Sequence, residues 1–484
     1  MRYLAFLAHK HIIMGKILNP RIFIPTTVFF ISFLLLSSIS IYRYNIVQVF
    51  HYDLGIFASI IWQLSQGEIA VINHISLGQI NFLGDHFEPS LALLSPLFWI
   101  VKNIRILLIE QALATTLSGL IIYLIARKRK LKMSSALIFA IIFFLFAGTV
   151  FPLVTDWHPE PTAGLFLLLF IYFFTFTKRK IVPFVLAIIF LGFKESNVLT
   201  LSFFLISYLF IYKQRRREIL FYLTGALIWF YASIKLLIPY FSGREYFYSP
   251  QMPSNVSELK QSLTQINKYE FVWKSFLSFG FLPLLAKFGL IPIIGEVLLR
   301  IIPLHSFFES FTLKMHYNVY LGIFLLLAAI DGFIFMQNKF KLKKHSLIVL
   351  LTILVFSLFV ARKFTDSPIF LVTNKVFWQE FRPRSDIYQS LKKVPREGSI
   401  ASQNNFLPHI IFRTENVMSI QKGYRMKDPE IIVFDLSTGQ SPNNFFPENY
   451  NFFLKEKDLI EKSELYKRIS TDNKNIYIFT KKQL

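Results

Sequence analysis

The sequence predicts an all-α polytopic membrane protein followed by a small C-terminal soluble α/β domain, and its composition supports this fold class. Of 484 residues, 54% are hydrophobic and only 17% are charged, whereas about 25% of residues are charged in soluble domains. The 52 basic and 29 acidic residues give a net charge of +23. This composition excludes disordered, collagen-like and nucleic-acid-binding chains. Because the chain has no cysteine, disulfides, thiolate metal sites and cysteine nucleophiles are excluded as well.

The distribution of charge divides the chain into a transmembrane domain, 1–362, and a soluble domain, 363–484. The first part has 48 charged residues in 362 positions, and the second has 33 in 122 positions. The second density is that of an ordinary soluble domain. Within it, the apolar runs Ile431–Phe434 and Ile476–Phe479 predict strands. The stretch Asp386–Lys393 is helix-like, so a small α/β domain is expected.

The transmembrane domain consists of apolar segments near the roughly 20 residues that a helix needs to cross a bilayer. The first segment lacks a small-residue cleavage site, so we interpret it as a retained anchor rather than a signal peptide. The clear segments are 22–42, 104–126, 134–154, 160–177, 218–240, 318–337 and 346–362. Shorter ones, which bundles tolerate around a cavity, are 181–194, 197–212, 273–288 and 289–304.

Basic clusters predict the orientation of these segments, because Lys and Arg stay on the cytoplasmic side. The clusters are 127–132, 178–180, 213–217, 339–344 and the N-terminal residues Arg2, Lys10, Lys16 and Arg21. All of them fall on one side if about 11 helices cross the membrane. The N-terminus is then cytoplasmic, the C-terminal domain is extracytoplasmic, and Pro89–Val101 is interfacial or re-entrant. The chain is therefore expected to be a multi-pass protein of the plasma membrane.

The first outer loop, 43–103, carries two motifs with ionisable residues. It opens with HYDLGIF, in which Asp53 directly follows the first span, and it ends with GDHFEP, which places Asp85, His86 and Glu88 within four residues. Asp53 fits either a helix N-cap or a functional carboxylate. The second motif fits a capped turn, or a site that handles a metal or a phosphate group.

Three further motifs fall on the same predicted side of the membrane. DWHPEP contains Asp156, His158 and Glu160 in a loop stiffened by two prolines, and is either a tight connector or part of a metal site. The pair Lys194-Glu195 interrupts an apolar run, where ionisable groups are energetically costly. The pair is either part of a functional site or a structural pair whose two charges neutralise each other. His316-Tyr317 directly precedes a span, and it is either part of a functional site or part of an interfacial aromatic belt.

Together these motifs resemble a known family. HYDLGIF, GDHFEP, DWHPEP, GFKES and the tail block ASQNNFLPH, followed by Arg413, are similar to the motifs of the domain of unknown function 2079 family of prokaryotic polytopic membrane proteins. That family resembles, in layout, the GT-C superfamily of membrane glycosyltransferases, which transfer a sugar from a polyprenyl-phosphate donor. Two positions depart from the pattern: Trp157 replaces another aromatic residue, and Ser196 stands where a second acid is expected.

The resemblance implies roles for the motif residues. Asp53 is the expected general base that activates the acceptor hydroxyl. A divalent cation, Mg²⁺ or Mn²⁺, or basic side chains would offset the charge on the leaving phosphate. The expected cation ligands are Asp85, His86, Asp156, His158 and Glu160. The expected substrate and phosphate contacts are Lys194, Glu195, His316 and Tyr317.

Two alternatives stay open at this stage. A transporter or flippase of a lipid-linked or small polar solute also needs ionisable residues within the membrane, although no internal repeat typical of such proteins is evident. A non-catalytic membrane scaffold would leave the ionisable motifs without a function. The expected partners of the transferase are a polyprenyl-phosphate sugar and membrane lipids, with no nucleic acid, and the sequence does not identify the acceptor.

Overall fold

The computed structural model describes residues 19–249, 251–304, 311–380, 385–413 and 416–482. Within them the chain is mostly helical, with a two-stranded hairpin in the first outer loop and a five-stranded sheet in the tail. The N-terminal basic residues Arg2, Lys10 and Lys16, which contributed to the predicted orientation, lie outside the described residues.

The first outer loop and the flanking helices form the first part of the chain. They contain α1 (Pro20–Asn45), a π-helical turn (His51–Gly55), α2 (Ile56–Ser65), β1 (Val71–His74), β2 (Gly78–Asn81), α3 (Pro96–Ile100) and α4 (Arg105–Lys128). Helices then follow one another closely: α5 (Met133–Leu145), α6 (Ala147–Val150), α7 (Glu160–Phe176), α8 (Ile181–Leu191), α9 (Asn197–Ile211), α10 (Arg216–Ala232) and α11 (Ile238–Ser242). The helical part ends with α12 (Val256–Leu263), α13 (Ile266–Leu277), α14 (Leu290–Ile301), α15 (Asn318–Lys339) and α16 (Ser346–Lys363).

Five helical segments of the described chain are long and apolar enough to span a membrane. They are α1, α4, the continuous segment Lys213–Ser242, α15 and α16. The predicted span 134–154 is instead a pair of helices bent by 71°, and it brings the number to six if the pair crosses as one unit. The predicted segments at 160–177, 181–194 and 197–212 form apolar helices of 10–17 residues. The expected count of about 11 crossings is therefore not confirmed.

Helix α15 is the centre of the bundle. In its most apolar stretch 78% of the residues are buried, against 28% in α1 and in α16. It packs against α7 and α14, while α4 packs against α1 and α7. Helices α4, α7 and α15 all begin at the same end of the bundle, where residues in or just ahead of their first two turns contact one another. We call this the site end.

The tail forms the expected α/β domain. It contains α17 (Lys375–Glu380), α18 (Ser385–Leu391), β3 (Ile400–Ser402), β4 (Val417–Ser419), β5 (Ile431–Asp435), α19 (Tyr450–Glu461), β6 (Tyr466–Ile469) and β7 (Ile476–Lys481). The strand order is β4-β3-β5-β7-β6, with β3 parallel to both neighbours and β7 antiparallel to both of its own. The strands predicted from the two apolar runs are β5 and β7.

The tail docks onto the first outer loop. The backbone N–H of His51 donates to Asn404, at 2.9 Å, and the side-chain amide of Asn73 donates to the carbonyl of Val417 at 2.8 Å. Nearby, the hydroxyl of Tyr388 donates to the carbonyl of Tyr44 at 3.0 Å. The C-terminal domain therefore fixes the position of the first outer loop, which contains Asp53.

Candidate functional site

The loop between α6 and α7 is fixed by two side chains of α4. The side chain of Gln111, which is fully buried, donates to the carbonyls of Pro152 and Asp156, both at 3.1 Å, and accepts from the backbone N–H of His158 at 2.7 Å. The neighbouring Glu110 accepts hydrogen bonds from Trp157 and Thr162. The whole DWHPEP motif is therefore held in one conformation.

Asp156 connects this loop to the first outer loop. Its φ of +80° lies in the left-handed region, which Asp tolerates better than most residues. Its Oδ2 accepts from the backbone N–H of Phe50 at 3.0 Å, just ahead of the π-helical turn. Its other carboxylate oxygen is buried without a hydrogen-bond partner among the described residues. Asp156 therefore holds the turn that presents Asp53.

The π-helical turn places Asp53 at the site end with its carboxylate accessible. A Cβ at Gly55 would lie 2.6 Å from Nδ1 of His51, so the turn needs glycine at that position. Asp53 Oδ1 lies 3.9 Å from Nδ1 of His158, and 44% of its side chain is accessible, against 4% for His158. Asp53 is therefore the group in this cluster that an incoming molecule meets first.

Behind Asp53, a buried carboxylate is surrounded by basic groups. Glu160 has 1% of its side chain accessible and lies 3.6 Å from Nζ of Lys194 and 3.5 Å from Nε2 of His316. The rings of His158 and His316 stack with centroids 4.0 Å apart, and Lys194 lies over the ring of Tyr317 at 5.1 Å. Neither carboxylate oxygen of Glu160 has a hydrogen-bond partner among the described residues.

Burial and neighbouring charge shift the pKa values of these groups. Although 44% of the Asp53 side chain is accessible, the surrounding protein displaces part of its water and so raises its pKa, an effect that His158 opposes and Glu160 reinforces. Burial, with the neighbouring His158 and Lys194, lowers the pKa of His316 well below its usual value. The site therefore holds a carboxylate with increased affinity for a proton beside an imidazole that stays neutral, which suits proton transfer and metal or phosphate binding.

A second group of polar side chains adjoins the first at Lys194-Glu195. His86 Nδ1 lies 2.9 Å from Oε1 of Glu195, which also accepts from the hydroxyl of Tyr246 at 2.7 Å. Against the effect of burial, the charge and hydrogen bond of His86 lower the pKa of Glu195 to about 2. Glu195 is thus an ionised carboxylate that orients His86.

Asp85 belongs to the same second group. The hydroxyl of Tyr248 donates to Asp85 at 2.7 Å, and His74 Nε2 lies 3.0 Å from that hydroxyl. Since Nδ1 of His74 accepts from two backbone N–H groups, its Nε2 carries the proton and donates to Tyr248. The ring of Tyr248 stacks on His86 with centroids 4.3 Å apart. This chain of contacts fixes the GDHFEP turn.

Three residues offer ligand atoms to a metal ion. One atom each of His158, Glu160 and His316 lies within 4.8 Å of the others. The Nε2 of His158 lies 2.6 Å from the carbonyl of Thr155, so Nε2 carries the proton and Nδ1 keeps its lone pair. Two imidazoles and one carboxylate suit Mn²⁺ or Zn²⁺ better than Mg²⁺, which prefers oxygen ligands.

The structure thus separates the residues that the sequence grouped as cation ligands. His158 and Glu160 adjoin each other, together with His316, which was expected to contact phosphate. Asp85 and His86 are instead engaged with Tyr248 and Glu195, and Asp156 accepts from the backbone of the first outer loop. Gln111, Tyr246 and Tyr248 were not predicted from the sequence as residues of the site. Only Gln111 had a usable signal, as a polar residue inside an apolar span.

Comparisons with known proteins agree with this architecture. The family described as "Predicted membrane protein (DUF2079)" matches residues 43–467. The crystal structure of ArnT from Cupriavidus metallidurans bound to undecaprenyl phosphate is similar over 94% of this chain and 97% of that chain, with a TM-score of 0.57 at 11% identity. Its apo form is similar over 92% and 97%, with a TM-score of 0.48 at 11% identity. No curated protein matches the chain. The first similarity shows a fold like that of ArnT, a GT-C glycosyltransferase.

Proposed function

The chain belongs to the DUF2079 family of predicted membrane proteins, and from this premise we propose that it transfers a sugar from a polyprenyl-phosphate donor to an acceptor at the outer face of the membrane. The observation that carries the proposal is the accessible carboxylate of Asp53, 3.9 Å from His158 and in front of the buried Lys194–Glu160 pair. The binding of undecaprenyl phosphate by ArnT, a protein of similar fold, supports the choice of lipid.

In the proposed reaction Asp53 is the general base. It takes the proton of the acceptor hydroxyl while the acceptor oxygen forms a bond to the anomeric carbon of the sugar. The bond from that carbon to the phosphate oxygen breaks, and the polyprenyl phosphate leaves with the electron pair. A raised pKa favours this role, because the proton affinity of Asp53 is then closer to what proton transfer near neutral pH requires.

The basic groups behind Asp53 are proposed to bind the leaving phosphate. Lys194 supplies a positive charge, and His316 supplies a ring nitrogen beside Glu160. Glu195 is proposed to act indirectly, because its carboxylate orients His86. Tyr317 packs against Lys194 and so helps to position it. Where a divalent cation is present, His158, Glu160 and His316 would hold it, and it would offset the negative charge of the phosphate.

We further propose that the chain is a multi-pass protein of the plasma membrane with a cytoplasmic N-terminus and an extracytoplasmic tail. Because the chain has no cysteine, single cysteines can report the orientation directly. A membrane-impermeant maleimide should label Lys474→Cys, an exposed position of the tail, on intact cells. It should label Lys178→Cys, an exposed position of a predicted cytoplasmic cluster, only after lysis. The reverse pattern would overturn the orientation.

The transfer reaction is tested with purified protein in nanodiscs that contain polyprenyl-phosphate sugars. The expected result is release of polyprenyl phosphate with transfer of the sugar to an acceptor. Flux of a solute or lipid in liposomes, without any release of polyprenyl phosphate, would identify the transporter or flippase instead. If the folded protein shows neither release of polyprenyl phosphate nor flux, the non-catalytic scaffold is the remaining function.

A further inference from the structure

A cavity lies at the end of the bundle opposite the candidate site. It has a volume of about 370 Å³, which is the size of a small-molecule pocket. Helix α4 runs from Gln111 at the site to Lys128 at the cavity, which corresponds to about 26 Å at the rise of an α-helix. Helix α15 runs in the same direction, from Asn318 to Asp331, over about 20 Å. The cavity is therefore separate from the candidate site.

The walls of this cavity are apolar and aromatic. They come from α7, α9, α14 and α15, which pack around the space. The apolar lining residues are Phe176, Phe204, Ile211, Pro292, Phe324, Leu327, Ala328 and Ile334. Such walls exclude water and favour a hydrocarbon chain over a small soluble anion.

The mouth of the cavity is basic. Lys128 and Lys130 are exposed there, and Arg129 pairs with Asp331, the one acidic residue of the lining. The lining thus has three cations and one carboxylate, and neither lysine forms an ion pair with the acidic residue of the lining. An anion at the mouth would neutralise them, whereas a zwitterionic group would bring its own positive charge into the same place.

The cavity opens onto an exposed apolar surface of the helices. Ile211 lines it and is exposed, and its neighbour Phe210 stacks on Phe288 with centroids 5.2 Å apart. Both phenylalanines are exposed. A hydrocarbon chain can therefore reach the apolar walls directly from the bilayer, which a water-soluble anion cannot do.

We propose that this cavity binds an anionic membrane phospholipid. Its phosphate lies between Lys128 and Lys130, and one of its acyl chains lies against the walls formed by Phe204 and Phe324. Basic pockets between membrane helices are suited to such head groups, because each nearby Lys or Arg adds to the attraction of an anionic lipid. The proposal is independent of the transfer reaction, since it concerns the other end of the bundle.

The test measures lipid binding to the delipidated full chain by native mass spectrometry. Phosphatidylglycerol should bind at least tenfold more tightly than phosphatidylcholine with the same acyl chains. The double variant Lys128→Gln/Lys130→Gln should weaken phosphatidylglycerol binding by about 30-fold, a factor of about five for each lysine. The control Lys343→Gln/Lys344→Gln removes two exposed cations that do not line the cavity, and should leave binding unchanged.

Three results would overturn the proposal. Equal affinity for the two phospholipids would remove the role of charge. Competition by glycerol phosphate at the concentrations at which the lipid binds would show a site for a soluble anion. An equal loss of binding in the Lys128/Lys130 variant and in the control would show a general attraction to the basic end of the bundle.

Discussion

Replacing Asp53 with asparagine separates a role in catalysis from a role in structure. Asp53→Asn keeps the size and polarity of the side chain but removes its capacity to accept a proton. The carboxylate is partly accessible, and its nearest basic partner, His158, lies at 3.9 Å. A partly exposed pair of this kind contributes about 0–1 kcal/mol, so the melting temperature should change little.

The effect on turnover should be much larger. General-base catalysis contributes about 10²–10⁴-fold, so kcat of Asp53→Asn should fall by that range, which corresponds to about 3–5 kcal/mol of transition-state stabilisation. KM for the donor should stay within about twofold, because the phosphate contacts lie at other residues. The assay follows release of polyprenyl phosphate in nanodiscs, with Glu68→Gln, an exposed carboxylate of the same loop, as the matched control.

A folded Asp53→Asn protein with full turnover would remove Asp53 from the mechanism. A large fall in melting temperature would show that the carboxylate supports the fold instead. If the Glu68 control lost as much activity as Asp53→Asn, the effect would reflect the charge of the whole loop and not a base at this position.

Four other variants or conditions test the site. Lys194→Met removes a charge-assisted contact of about 1.5–3 kcal/mol, so the Kd for a polyprenyl-phosphate lipid should rise about 10–150-fold; an unchanged Kd would place the phosphate elsewhere. Gln111→Leu leaves three backbone groups without partners, at about 1–3 kcal/mol each, so the melting temperature should fall clearly. Burial lowers the pKa of His51 to about 4, so the unfolded chain binds a proton below pH 6.5 that the native chain does not. The free energy of unfolding should therefore decrease by about 1 kcal/mol between pH 6.5 and 5.5, and less in His51→Gln. Finally, Mn²⁺ should give a calorimetric binding signal with the wild type that His316→Ala loses.

The sequence predicted the class of the protein because its main signals are local. Apolar runs of about 20 residues predict membrane helices. The higher charge density after residue 362 predicted a separate tail domain, whose short apolar runs form strands β5 and β7. The motifs around Asp53 and Glu160 also identified the family, and the match over residues 43–467 confirms it.

What the sequence could not predict depends on contacts between distant segments. The bend between α5 and α6 occurs at Phe146, which has an extended ψ of 122°. Neither Phe146 nor its direct neighbours is a proline or a glycine, and the nearest glycine, Gly148, lies two residues further on. The partners of His86 and Asp85 lie more than 100 residues away, so no local pattern could show that these side chains are engaged elsewhere. The pairing of His316 with Glu160 is hidden for the same reason.

The hydrogen bond from His51 to Asn404 spans 353 positions of the chain. A ribosome adds about 5–20 residues per second, so roughly 20–70 s pass between synthesis of the two partners. During that interval the turn that carries Asp53 lacks the domain that fixes it. In a nascent chain the contact between His51 and Asn404 is therefore still missing after the helices have been synthesised. The turn that carries Asp53 is fixed in place only when the C-terminal domain folds against it.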